Sequence, residues 1–257
     1  MNNATVFSNA VHHPVVSQDD WIAQRRQLLA REKELTRLGD QVARERRALP
    51  WVRMDKNYIF DTPDGRRSLA ELFDGRRQLM VQHFMLGPGW EQGCKSCSFM
   101  ADHLLGAEIH LQHREVTVLL VSRAPLAEIE RFRQRMGWPF RWASSHGTDF
   151  NLDFHVSFPP ETRVDGEVDY NYRRTAFPQE EAPGISFFCM DDAGDVFHTY
   201  STFGRGVEVM MGTYHLLDLA PKGRDERDGQ GMAWVRHHDR YEPAPSVPAS
   251  SCCAARA

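Results

Sequence analysis

The 257 residues carry 31 Lys and Arg against 35 Asp and Glu, a net charge of −4 at pH 7, with 41% hydrophobic and 26% charged residues. That is enough apolar material for one full core and excludes a chain disordered throughout. The interleaved, slightly acidic charge excludes a broad nucleic-acid footprint, which needs clustered positive surface.

Residues 1–16 predict no regular structure. From Ser17 a helical pattern starts with capping-box spacing to Asp20 and continues through Trp21, Leu28, Leu35, Val42 and Leu49 at seven-residue intervals, with Ile22, Leu29 and Leu38 widening the stripe. Over 17–50 the expectation is a helix docked on its own domain, with a homodimer through that stripe as the alternative. Gly39 is a point of bending and Pro50 the stop. Asn57–Asp61 reads as a short strand, Thr62–Gly65 as a Pro-Asp-Gly turn, and Ser68–Glu71 as the cap of a short helix through Phe73. Leu79–Leu86 is apolar except at Gln82 and His83, as in a strand covered on both faces. An irregular stretch, 87–93, leads to Cys94; Ser98 to about His113 is helical, Val116–Ser122 a second buried strand, and Pro125–Met136 an amphipathic helix closed by Gly137. Strand, helix, strand, helix makes a parallel crossover unit, whose loops after the strand C-termini are the expected place for chemistry.

Residues 137–183 are aromatic-rich and too long for a structureless connection; they predict a strand near Phe140–Ala143 and a lid-like insertion. Ile185–Met190 and Val196–Thr202 flank the turn-rich Asp191–Gly194 as a hairpin, and Val207, Met210, Met211, Tyr214 and Leu217 space out a last core helix. The domain then spans 51–241, and 242–257 is a proline-rich tail expected to be disordered. No apolar run approaches the roughly 18 residues of a membrane span, and residues 1–17 lack the pattern of a secretion signal, so the expectation is a cytoplasmic protein with no membrane partner.

Five cysteines, an odd number, do not look like a secreted disulfide framework. Cys94 and Cys97 form a Cys-x-x-Cys pair at a strand-to-helix junction, where unpaired backbone N–H groups and the helix dipole favour a thiolate. Cys94 is therefore read as the attacking thiol and Cys97 as the resolving one, with Lys95 adding positive charge and Glu91 opposing it. The competing reading is half of a zinc site, for which His103, His110 and His113 are the nearest further ligands. Trp90 and Arg123 are candidates for substrate contact, Cys189 for a buried apolar position, and Cys252 and Cys253 for tail residues without a specific role. No metal and no cofactor is implied; the partners expected are protein or small-molecule disulfides and an electron donor that the residues do not name.

Leu49-Pro-Trp-Val52, His83-Phe-Met-Leu-Gly-Pro88, Gly93-Cys-Lys-Ser-Cys-Ser98, Val121-Ser-Arg-Ala-Pro125, Met136-Gly-Trp138, Asp149-Phe-Asn151, Asp153-Phe-His155 and Phe197-His-Thr-Tyr-Ser-Thr202 occur in this order. Together they resemble the bacterial thioredoxin-like family catalogued as domain-of-unknown-function eight-nine-nine, whose members are predicted dithiol-disulfide oxidoreductases, over about Ser17 to Tyr241. The resemblance implies an α/β thioredoxin-like fold: a mixed central sheet flanked by helices, an N-terminal helical extension and an insertion before the last hairpin. It implies further that Cys94 and Cys97 are the nucleophile and resolving thiol, and that Pro183 is the cis-proline facing them. Residues 58–73 and 140–156 also look like the peroxiredoxin branch, in which a threonine stands three residues before the peroxide-reducing cysteine. Glu91 stands there instead, and an ionised carboxylate cannot donate the same hydrogen bond.

Overall fold

The computed structural model describes residues 13–227 and 230–242; Cys252 and Cys253 lie outside them. The first helix, α1 (Gln18–Arg47), starts where Ser17 Oγ accepts the Asp20 N–H at 3.1 Å, and it runs through Gly39 unbroken. Its last turn carries Arg44, Arg46 and Arg47, which suit the negative end of the helix dipole. The docking expected of its stripe is not made. No residue of α1 is fully buried; Trp21 is 53% exposed and Leu35 70%. Only its foot is held: the Arg46 guanidinium lies 5.6 Å from the Tyr200 ring centroid, and just beyond the helix Trp51 packs on Phe197 at 6.0 Å.

The chain then lays down β1 (Val52–Arg53), the hairpin β2 (Ile59–Thr62) and β3 (Gly65–Ser68), a 3₁₀ turn over Glu71–Phe73, and β4 (Gln78–His83). Next come α2 (Lys95–Asp102), α3 (Ala107–Gln112), β5 (Val116–Ser122), α4 (Leu126–Met136) and β6 (Arg141–Ser144). The single helix expected up to about His113 is two, because Gly106 takes a φ of +82° between them, a conformation that ends an α-helix. The insertion holds α5 (Phe150–Asp153) and a separate hairpin, β7 (Glu167–Tyr170) and β8 (Arg173–Ala176). Then follow β9 (Gly184–Met190), β10 (Val196–Phe203), a 3₁₀ segment over Gly204–Met210, α6 (Gly212–Leu217) and a short turn at His238–Arg240.

Eight strands form one mixed sheet in the order β1-β10-β9-β4-β5-β6-β2-β3. β4, β5 and β6 run parallel through the two helical crossovers, whereas β9 joins β4 antiparallel and β10 joins β9 antiparallel. A parallel crossover unit and an antiparallel hairpin sharing one sheet is the thioredoxin-like arrangement. Strand alternation sends Met80 and Phe84 to a cluster with Phe99, Met100, Ile129 and Phe132 from α2 and α4, and sends Leu79 and Val81 to a cluster with Phe60, Phe150 and Phe154. Both faces of the central strands are therefore covered by the domain's own elements. Among the described residues no helix is long and apolar enough to cross a membrane.

A polar line crosses the second cluster. His83 Nε2 lies 2.7 Å from Ser186 Oγ, Ser186 Oγ 2.7 Å from Ser201 Oγ, and Ser201 Oγ 2.7 Å from His198 Nε2. His83 Nδ1 is buried without a partner. A bare imidazole nitrogen is cheaper to leave unmet as an acceptor than as an N–H, so the proton sits on Nε2. His83 then donates to Ser186, Ser186 to Ser201, and Ser201 to His198.

Candidate active site

β4 ends at His83, and Phe84, Met85 and Leu86 continue buried beyond it. The Met85 carbonyl accepts the Cys94 N–H at 3.0 Å, so the loop between folds back and returns the chain beside its own strand. Gly93 is needed there: a Cβ would sit 2.5 Å from Phe84 Cε1 and 2.8 Å from Phe132 Cε1. The Gly93 carbonyl is held by His237 Nε2 at 2.9 Å.

Cys94 is the N-cap of α2, with an extended ψ of 130°, and Lys95 is the first helical residue. The Cys94 carbonyl takes two hydrogen bonds from Ser98, through N–H and Oγ, each 2.9 Å. One turn inside, Cys97 is fully buried, and the Gln82 amide donates to its carbonyl at 3.0 Å. The Cys94 thiol is pulled down to about 6, first by a hydrogen bond from the Cys97 thiol and then by the N–H groups of Cys97 and Ser96, against burial, which pushes it up. Cys97 moves the other way, well above its ordinary value, because its proton is held by Cys94 and its sulfur is buried. One thiolate and one thiol share a proton, with the charge on the outer sulfur. Lys95, expected to help, turns its amine to the Ala233 carbonyl at 3.4 Å.

Cys94 opens on a groove of about 990 Å³. Met85, Met100, Met211 and Met232 give it adaptable apolar walls, and Tyr170, Pro183 and Arg224 line it further. The Arg224 guanidinium sits 4.0 Å from the centroid of Tyr214, whose hydroxyl donates to Glu226 at 2.6 Å. Nothing in the spacing of the sequence marks Tyr170, Arg224 or Glu226, which come from the insertion and from the segment after α6, and the spacing that picks out Tyr214 reads it only as a core position of the last helix.

Pro183 lines the same groove as Cys94, yet all described peptide bonds are trans, the one before Pro183 included. The cis-proline implied by the resemblance is therefore absent. The chain enters β9 extended, with the Ala182 N–H paired to the Val156 carbonyl at 2.8 Å and Gly184 opposite His83. Trp90 and Arg123 stand outside the groove. The Trp90 indole folds over Gly87, where a Cβ would lie 3.0 Å from its Nε1 and 3.5 Å from Glu181 Cγ. Arg123 Nε donates to buried Glu181 at 2.5 Å, and the Ser157 hydroxyl donates to the same carboxylate at 2.5 Å. Arg123 is thus committed to a buried ion pair and has no free fork to offer a substrate.

His103 spends both ring nitrogens, Nδ1 on the Phe99 carbonyl at 2.6 Å and Nε2 on Thr213 Oγ1 at 2.7 Å. Among the described residues no three His, Cys, Asp or Glu side chains converge as a metal site. Cys189, expected in the core, is part-exposed on β9.

Among solved structures the chain is similar to peroxidoxin BcpB from Mycobacterium tuberculosis, at 10% identity and a TM-score of 0.42, covering 62% of this chain and 91% of that one. It is similar also to a cysteine-to-serine mutant of peroxiredoxin Q from Xanthomonas campestris, at 11% identity and a TM-score of 0.38 over 62% and 90% of the two chains. A third is a mutant of peroxiredoxin 6 from Arenicola marina, at 10% identity and a TM-score of 0.41 over 66% and 75%. No curated protein matches the sequence. The family model described as bacterial protein of unknown function (DUF899) matches residues 10–241, and the chain belongs to that family.

Proposed function

We propose that the protein is a thiol–disulfide oxidoreductase working through Cys94 and Cys97. The observation that carries this reading is the split of the pair: an outer thiolate pulled down to about 6 at the mouth of a groove, and a buried protonated thiol one turn behind it. The Cys94 thiolate attacks one sulfur of a substrate disulfide, forming a mixed disulfide and releasing the other sulfur as a thiolate. Cys97 then gives up its proton and attacks Cys94, so that the second substrate sulfur leaves and its electrons have come from the protein. The chain is left with a Cys94–Cys97 disulfide, and a two-electron donor must reduce it before the next turnover. A reducing compartment such as the bacterial cytoplasm suits a pair that starts each cycle as the dithiol.

The test uses reduced protein and a chromogenic aromatic disulfide. Wild type is expected to release two equivalents of the aromatic thiol and become oxidised. Cys97→Ser is expected to release one and retain the other on Cys94, a mass adduct that is lost in Cys94→Ser. Failure of wild type to react faster than free cysteine at pH 7, or an adduct on Cys189 in place of Cys94, sinks the proposal.

A further inference from the structure

On the side of the sheet that carries Phe150 and Phe154, β10 forms the floor of a second cavity of about 640 Å³, within the range of small-molecule sites. Its walls include the rings of Tyr58, Phe154, Tyr170, Tyr172 and Phe203. The tyrosine hydroxyls are already engaged: Tyr58 donates to Asp153 at 2.6 Å, Tyr170 to the Pro183 carbonyl at 2.9 Å, and Tyr172 to the Ser201 carbonyl at 2.9 Å. At the floor His198 and Ser201 satisfy each other. The interior therefore presents ring surface with its polar atoms spent, which suits a flat apolar body.

The mouth differs. Asp153 is neutralised by Lys56 at 2.7 Å, and Arg174 is turned to the Val164 carbonyl at 3.1 Å and to Glu167 at 3.7 Å. Among the described residues the Arg173 and His155 side chains have no hydrogen-bond or ion-pair partner, and Asp169 is the one carboxylate beside them without a cation of its own. Of the eight non-glycine residues with positive φ among the described residues, three line this cavity: His155 at 52°, Asn171 at 53° and Tyr172 at 62°. Asn171 and Tyr172 are the two central residues of the β7–β8 hairpin turn, which requires positive φ at both, and His155 takes the left-handed position just past the end of α5.

We propose that this cavity binds a planar aromatic monocarboxylate, with its ring among the aromatic walls and its carboxylate at the mouth on Arg173 and His155. The site is separate from the dithiol groove and shares with it the Tyr170 ring. Its occupancy does not depend on the proposed oxidoreductase activity.

The test is calorimetric titration of the reduced full-length protein with 2-naphthoate, and with 2-naphthylmethylammonium as the cation of similar shape. Saturable binding of one 2-naphthoate per chain is expected, at least tenfold tighter than the ammonium compound. Arg173→Glu should weaken it tenfold or more. Tyr172→Gly removes the ring at a φ that glycine adopts freely, so it should fold and also lose at least tenfold. Cys94→Ser should bind as wild type does. The proposal is overturned by absence of saturation at millimolar 2-naphthoate, by equal affinity for the two probes, by unchanged affinity in Tyr172→Gly, or by loss of binding in Cys94→Ser, which would put the probe in the other groove.

Discussion

At Cys94 the hydrogen bond from Cys97 outweighs burial, and the helix-start N–H groups come after it. The sulfur that attacks is thus charged chiefly because the sulfur behind it is not. Alkylation of Cys94 should therefore rise with pH about a midpoint near 6, as iodoacetamide kinetics followed by mass would record. Cys97→Ala removes the leading donor and should move that midpoint up by about one unit or more, roughly 1.4 kcal/mol, whereas Cys97→Ser keeps a hydroxyl and should move it less. Position, capping and spacing of the pair were readable from Gly93-Cys-Lys-Ser-Cys-Ser98. The idle role of Lys95 and the commitment of Arg123 to Glu181 were not, because each depends on a partner far away in the chain. His83 is a second residue whose behaviour follows from packing. Burial lowers its pKa to about 3, with His198 adding to the effect, so folding favours the neutral ring. The unfolded chain binds the proton first, so this contribution to stability is whole above pH about 6.5 and is lost as pH falls toward 3, at about 1.4 kcal/mol per unit. Urea unfolding at pH 6.5 and 5 should show a drop of about 2 kcal/mol from this site. His198, also lowered by burial, acts in the same direction. His83→Gln should flatten the slope by about one proton; an unchanged slope would mean that His83 is not the group responsible.

Elements were legible where one periodicity dominates and illegible where backbone conformation or long-range packing decides. Ser17 caps α1 as its spacing announces, and β5 is the continuous apolar run Val116–Ser122. The division of α2 from α3 rests on Gly106, whose positive φ leaves the apolar pattern on either side intact. The hairpin of β7 and β8 was missed because its strands mix Arg and Asp with single apolar residues such as Val168, and only Val168 and Tyr170 are buried. Two glycines show how context sets the sign of one substitution. Gly93→Ala puts a methyl group into Phe84 and Phe132, in a loop that also sets the Cys94 N–H on Met85. It should cost about 1–3 kcal/mol by overpacking and slow Cys94 alkylation. Gly39 sits within α1 with nothing within 4 Å of its missing Cβ, so Gly39→Ala should stabilise the helix by up to about 1 kcal/mol. Circular dichroism melts of the two variants should shift in opposite directions, with only Gly93→Ala touching the thiol kinetics.

At the scale of the molecule, the order strand, helix, strand, helix and then hairpin was enough to anticipate the sheet and the end of it that carries the cysteines. The place of α1 was not, because a heptad stripe states that a helix wants cover without stating what supplies it. The sheet domain supplies almost none: Leu28, Leu35 and Leu38 stay half-exposed or more, and contact is confined to Arg46 and the residues just past the helix. A chain shortened to begin at Glu45 keeps Arg46, Trp51 and β1 in place against β10. Since the segment removed buries nothing fully in the sheet domain, that truncation should leave the thermal midpoint of the domain within about 2 °C of the full chain, no more than a loss of 1 kcal/mol gives in a domain of this size, and the Cys94 alkylation midpoint unchanged. A collapse of cooperative unfolding on truncation would show that the stripe is covered in solution. The concentration dependence of the full chain's melt would then tell whether the cover is a second copy, since a helix buried between copies melts later at higher protein concentration, whereas one folded onto its own domain does not.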